Sequence, residues 1–225
     1  APTASKSGAV NVKSPLLESI ENPLEVECQE PTKFVDEGWA SYPEVLGTVI
    51  DVVKPSVIIE VGVWLGQSTF NMLDQALVHD PSASIICIDT WLGSPEHWLN
   101  PEWNPQLRIQ NGRPNLYTIF ISNVLAKGYQ ESIVPMNMTS SQAAKILFHH
   151  NLVADLVYID GAHDKDEVNA DIENYWPFLK LGGCMVGDDY SDNWPGVVEA
   201  VHEFQEGRDD IEFVHVKDKF VLYKI

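Results

Sequence analysis

The run Val57-Ile58-Ile59-Glu60-Val61-Gly62-Val63-Trp64-Leu65-Gly66-Gln67-Ser68-Thr69 decides how the rest of the chain is read. Its apolar, β-branched opening has the composition of a buried strand, and it ends at an acid, Glu60. Gly62 and Gly66 follow with three residues between them, and then come Ser68 and Thr69, hydroxyl residues that can cap a helix. The order is strand, tight turn, helix start. In an open α/β sheet the ligand site forms where strand carboxyl ends meet helix amino ends, because unpaired N–H groups and the helix dipole favour negative charge there. The stretch therefore reads as a loop shaped for a nucleoside cofactor.

Outward from this loop the same alternation continues. Upstream, apolar residues recur at helical spacing from Gly38 to Val53, and Pro55 ends the run. Downstream, a helix is predicted over about 68–78, and Ser84 to Asp89 is a second apolar strand ending in an acid, which completes a right-handed βαβ unit. A helix over 116–127 stops at Gly128, and Ile133 to Met138 makes a short third strand that Pro135 assigns to a sheet edge. Further helices fall at about 141–149, 165–178 and 195–206. They alternate with strands Ala154–Asp160 and, after the turn Leu181-Gly182-Gly183, Cys184–Asp189. The tail reads as two strands, 211–216 and 220–225, joined by the turn Lys217-Asp218-Lys219. The predicted fold is α/β, a Rossmann-like, doubly wound, seven-stranded sheet, mostly parallel with one antiparallel strand.

Residues 1–30 lack periodicity and read as an N-terminal arm, leaving 31–225 as one domain. Within it, residues 91–114 break the pattern with four prolines and three tryptophans, a composition that suggests a lid or substrate wall.

Composition narrows the function. With Lys+Arg 14 against Asp+Glu 33 and a formal charge of −19, the chain lacks the positive surface that nucleic acid or an anionic membrane requires. No apolar run approaches the roughly 20 residues that span a bilayer. Cys28, Cys87 and Cys184 are too scattered for a disulfide framework or a zinc cluster, and two of them sit in strand-like runs as small hydrophobes. A reducing, cytoplasmic setting is the expectation, although the chain begins Ala1-Pro2-Thr3 without methionine. Oligomeric state is not readable, and a homo-oligomer stays open.

The acids point to chemistry. Asp89 follows Glu60 at the distance where an acid accepts hydrogen bonds from the ribose hydroxyls of a nucleoside cofactor. Asp160, Asp188 and Asp189 end neighbouring strands, and that much negative charge in one place calls for a divalent cation. All-oxygen ligands favour Mg²⁺, with Ca²⁺ or Mn²⁺ as alternatives. His163 lies three residues after Asp160, where a cation would push its pKa down and leave a neutral imidazole as a base. His97, in the lid, is a candidate substrate contact, whereas His149 and His150 at a helix end are given no role.

Together Glu60-Val-Gly62-Val-Trp-Leu-Gly66-Gln-Ser68-Thr69, the Asp89 strand end, Tyr158-Ile159-Asp160-Gly161-Ala162-His163 and Gly182-Gly183-Cys184-Met185-Val186-Gly187-Asp188-Asp189-Tyr190 resemble class I S-adenosylmethionine-dependent methyltransferases. Within these, the chain looks like the small metal-dependent O-methyltransferases of catechol and macrolide-sugar type. The resemblance implies that Glu60, Gly62 and Gly66 shape the turn under the methionine part of the cofactor, with Ser68 near its carboxylate. It further implies that Asp89 holds the ribose and Trp91 borders the adenine. Asp160, Asp188 and Asp189 fall at the family's metal ligands, and His163 at its base. The expected reaction is methyl transfer to a hydroxyl of a small acceptor, a sugar or an aromatic. Two alternatives remain: a nicotinamide-dependent oxidoreductase, disfavoured by the bulky Val63-Trp64-Leu65 between the glycines, and a catalytically silent cofactor-binding protein.

Overall fold

In a computed structural model, the described residues are Leu24, Phe34, Val35 and 42–225. The predicted arm, apart from Leu24, and the predicted helical residues 38–41 lie outside them. The elements in order are α1 (Pro43–Val53), β1 (Val57–Val61), α2 (Gln67–His79), β2 (Ser84–Asp89), α3 (Pro95–Leu99) and a 3₁₀ turn (Asn104–Leu107). Next come α4 (Leu116–Lys127), β3 (Ile133–Asn137), α5 (Ser140–His149), β4 (Ala154–Ile159), α6 (Lys165–Tyr175) and a second 3₁₀ turn (Trp176–Phe178). The chain closes with β5 (Leu179–Gly187), α7 (Pro195–Gln205), β6 (Ile211–Val216) and β7 (Lys219–Lys224).

The sheet order is β3-β2-β1-β4-β5-β7-β6. The first five strands run parallel and β7 is antiparallel to both neighbours, so one strand is reversed, as the sequence predicts. Alternating side chains supply two cores. Ile59, Val61, Val157 and Met185 face α5, α6 and α7 through Leu147, Ile172 and Val201. Ile58, Cys87, Tyr158 and Val186 face α1, α2 and α4 through Ile50, Leu73 and Phe120. β3 lies at the edge, where Pro135 costs no ladder bond.

Two boundaries that bear on the site differ from the sequence reading. β5 begins at Leu179 and passes through Gly182 and Gly183 with a register shift opposite Ala154 and Leu156, in place of a turn. A β-carbon at Gly183 would lie 2.8 Å from the Asp155 carbonyl oxygen, so glycine here serves strand packing. In the last hairpin, Val216 pairs with Lys219 and only Lys217 and Asp218 turn, which makes Lys219 a strand residue. No helix among the described residues is long and apolar enough to cross a membrane.

Candidate active site

The carboxyl ends of β1, β2, β4 and β5 open into a cavity of about 730 Å³. Its floor is the turn after β1. Gly62 and Gly66 have φ of +86° and +92°, and Gly66 caps the amino end of α2. Beneath them Glu60 is fully buried and accepts hydrogen bonds from the Ser68 and Thr69 hydroxyls, each at 2.5 Å. Burial is the largest influence on its carboxyl and outweighs those donors, pushing the pKa up to about 7. Asp89 fixes the turn from the side: one carboxylate oxygen accepts from the Val63 and Trp64 N–H groups, both at 2.9 Å, and the other from the Trp91 N–H at 2.6 Å.

The opposite wall carries the strand-end acids. Asp188 Oδ2 accepts from the Tyr158 hydroxyl at 2.8 Å and pairs with the Lys219 ammonium at 2.7 Å, while its Oδ1 accepts from the Asp189 N–H. Asp189 Oδ2 lies 3.0 Å from His163 Nε2. Burial, then the charges of Asp188 and Asp189, raise the Asp160 carboxyl well above the usual range. The Trp194 ring stacks on His163 at 3.8 Å, and Glu96 of α3 approaches Nδ1 at 3.8 Å. Burial pulls the His163 pKa down, but the Asp189 bond and the charges of Asp189 and Glu96 outweigh it and the net shift is upward. From the 91–114 segment, Gly93, Ser94, Pro95, Glu96, His97 and Trp103 line the cavity, with His97 stacked on Trp64 at 4.5 Å.

Against known proteins, the family profile described as a methyltransferase domain matches residues 59–190, more than half of the chain. The chain belongs to the methyltransferase-domain family. No curated protein matches the sequence. Among solved structures, it is similar to an O-methyltransferase from Bacillus cereus in complex with S-adenosylhomocysteine, at 12% identity and TM-score 0.61, covering 99% of this chain and 92% of that one. It is similar to a calicheamicin methyltransferase at 17% identity and TM-score 0.60, covering 99% of both chains. A third is the O-methyltransferase TomG from Streptomyces achromogenes, involved in tomaymycin synthesis and in complex with S-adenosylmethionine. It is 14% identical with TM-score 0.60, covering 94% of this chain and 88% of that one. The shared fold is the Rossmann-like methyltransferase fold, and the oxidoreductase alternative falls away.

In this methyltransferase the cavity brings together Gly62, Ser68, Asp89, Asp160, His163, Asp188 and Asp189 from the sequence-derived set. Trp91 is not on the cavity wall. It is 2% exposed, packs against Tyr117 and Phe120, and donates its indole N–H to the Trp64 carbonyl at 2.7 Å, so it supports the floor from behind. The metal-ligand expectation meets a different charge balance. It took the three acids as uncompensated, whereas Lys219 neutralises Asp188 and His163 engages Asp189. As they stand the carboxylates do not form a ligand set: among the described residues no group of three or more His, Cys, Asp or Glu is placed to hold a metal ion. Lys219, buried against Asp188, is the residue of this cluster that the sequence reading missed. The available signal was strand alternation beginning one residue earlier, which sets Lys219 on the face of Val221 and Tyr223.

Proposed function

We propose that this methyltransferase moves the methyl group of S-adenosylmethionine to a hydroxyl of a small molecule, with His163 as the base. The carrying observation is the Asp189–His163 pair on the wall of the cavity whose floor is the glycine turn. A carboxylate only accepts, so Asp189 selects the tautomer with the proton on Nε2 and leaves the lone pair on Nδ1. Nδ1 is buried without a hydrogen-bond partner and faces the α3 side of the cavity. An acceptor hydroxyl placed there gives its proton to Nδ1 as its oxygen attacks the methyl carbon. The carbon–sulfur bond then breaks and S-adenosylhomocysteine leaves. Gly62, Gly66 and the buried Glu60–Ser68 pair support the methionine end, Asp89 lies at the ribose, and Trp91 acts only through Trp64.

Mg²⁺ is what the resemblance supplies, and it would lower the pKa of the acceptor hydroxyl. With Asp188 and Asp189 already engaged, no step above depends on it. Sugar and aromatic acceptors both suit a wall containing Trp64, Trp103 and Trp194. The test is transfer of labelled methyl from S-adenosylmethionine to a panel of neutral polyols and phenols. His163→Ala should lower kcat on any acceptor found by at least ~10²-fold while S-adenosylhomocysteine affinity stays within about twofold. An unchanged pH–rate profile in that variant would remove His163 from the mechanism.

A further inference from the structure

Lys219 is fully buried, and a buried ammonium is costly unless it is paired. Its partner is Asp188 Oδ2 at 2.7 Å, with Asp218 Oδ1 at 4.0 Å and the Tyr158 ring 5.8 Å away. The same Oδ2 accepts from the Tyr158 hydroxyl, and the other Asp188 oxygen is bonded to the Asp189 N–H. Lys219 opens β7 directly after a two-residue turn, and its backbone is paired with Val216. It is held behind Asp188 and has no solvent-facing position to retreat to.

We propose that Lys219 is a cation built into the strand-end cluster, and that it holds the cluster's affinity for divalent metal ions low. The inference rests on reading that cluster as the acceptor end of the methyltransferase site. An incoming divalent ion must compete with the donors already on both oxygens of Asp188, and it meets a fixed positive charge in a medium that screens poorly. With Asp188 paired to Lys219 and Asp189 to His163, Asp160 is the remaining acid of the three, and one carboxylate makes a weak metal site.

The experiment is a Mn²⁺ titration of the full chain saturated with S-adenosylhomocysteine, read from loss of the free-ion paramagnetic resonance signal. Wild type should half-saturate only in the millimolar range. Lys219→Met, which keeps the length and removes the charge, should bind at least ~10-fold more tightly, and adding Asp188→Asn should reverse the gain. One Mn²⁺ bound at micromolar concentration by wild type overturns the proposal, as does a Lys219→Met affinity no tighter than wild type. If Lys219→Met does not fold, the wild-type titration decides alone. Calorimetry of S-adenosylhomocysteine on the same samples separates the two readings, since failure to bind it counts against the cofactor assignment and not against the lysine.

Discussion

Glu60 shows at a single residue how burial and hydrogen bonding compete. Its carboxyl titrates near 7, because full burial costs the charged form more than two hydroxyl donors return. The unfolded chain has its pKa at the ordinary 4.5, so the folded protein binds this proton more tightly. The stability that it contributes is complete below about pH 4.5 and is lost as pH rises to 7. Relative to Glu60→Gln, wild type should therefore lose about 3 kcal/mol over that window, measured by urea unfolding of both proteins at several pH values. Parallel pH curves would show that folding leaves the carboxyl's pKa at its ordinary value. The sequence placed Glu60 correctly as the acid before the turn, because an acid inside an apolar β-branched run is conspicuous. It could not show that Ser68 and Thr69 both turn back onto it, since that depends on the helix phase after Gly66. Asp89 was legible for the same reason as Glu60. Trp91, expected beside the adenine, is instead buried behind the floor, on a left-handed backbone with φ +51°.

At the scale of elements, the tightest constraint is the approach of the β1 turn to the end of β4. A β-carbon at Gly62 would lie 2.0 Å from the Asp160 carbonyl oxygen, and backbone cannot yield as a flexible side chain does. Gly62→Ala should cost about 2–4 kcal/mol in urea unfolding and weaken S-adenosylhomocysteine at least ~10-fold by calorimetry, since the strand ends must part. Stability and affinity both near wild type would mean that the turn tolerates a different path. Most elements were legible because parallel strands buried on both faces give continuous apolar runs, and the intervening helices carry a distinct period. The misses came from turn chemistry. Two adjacent glycines in β5 imitate a loop, and Lys217-Asp218-Lys219 imitates a three-residue turn, although Val216 and Lys219 already pair. That single-residue difference hid Lys219, which pairs with Asp188.

Across the whole molecule the formal charge is −19, and part of that acidic surplus lines the cavity proposed to take the cofactor. The cavity wall carries Asp89, Glu96, Asp160, Asp164, Glu167, Asp171, Asp188, Asp189 and Asp218, and among the described residues neither lysine nor arginine lines it. Lys219 pairs with Asp188 and lies 4.0 Å from Asp218, which leaves acids in surplus, so the mouth presents a net negative field focused by low-dielectric walls. S-adenosylmethionine carries a net positive charge through its sulfonium, whereas S-adenosylhomocysteine is a neutral zwitterion of nearly the same shape. The field therefore steers the substrate form and is indifferent to the spent form, which favours exchange of product for substrate. Association rates followed by tryptophan fluorescence, with Trp64 on the wall as reporter, should be about 10-fold faster for the sulfonium compound at low salt. The ratio should fall toward unity by about 0.5 M salt, where the Debye length is only a few ångströms. A ratio that does not change with salt would mean that the wall acids are neutralised, and the steering argument would fail with it.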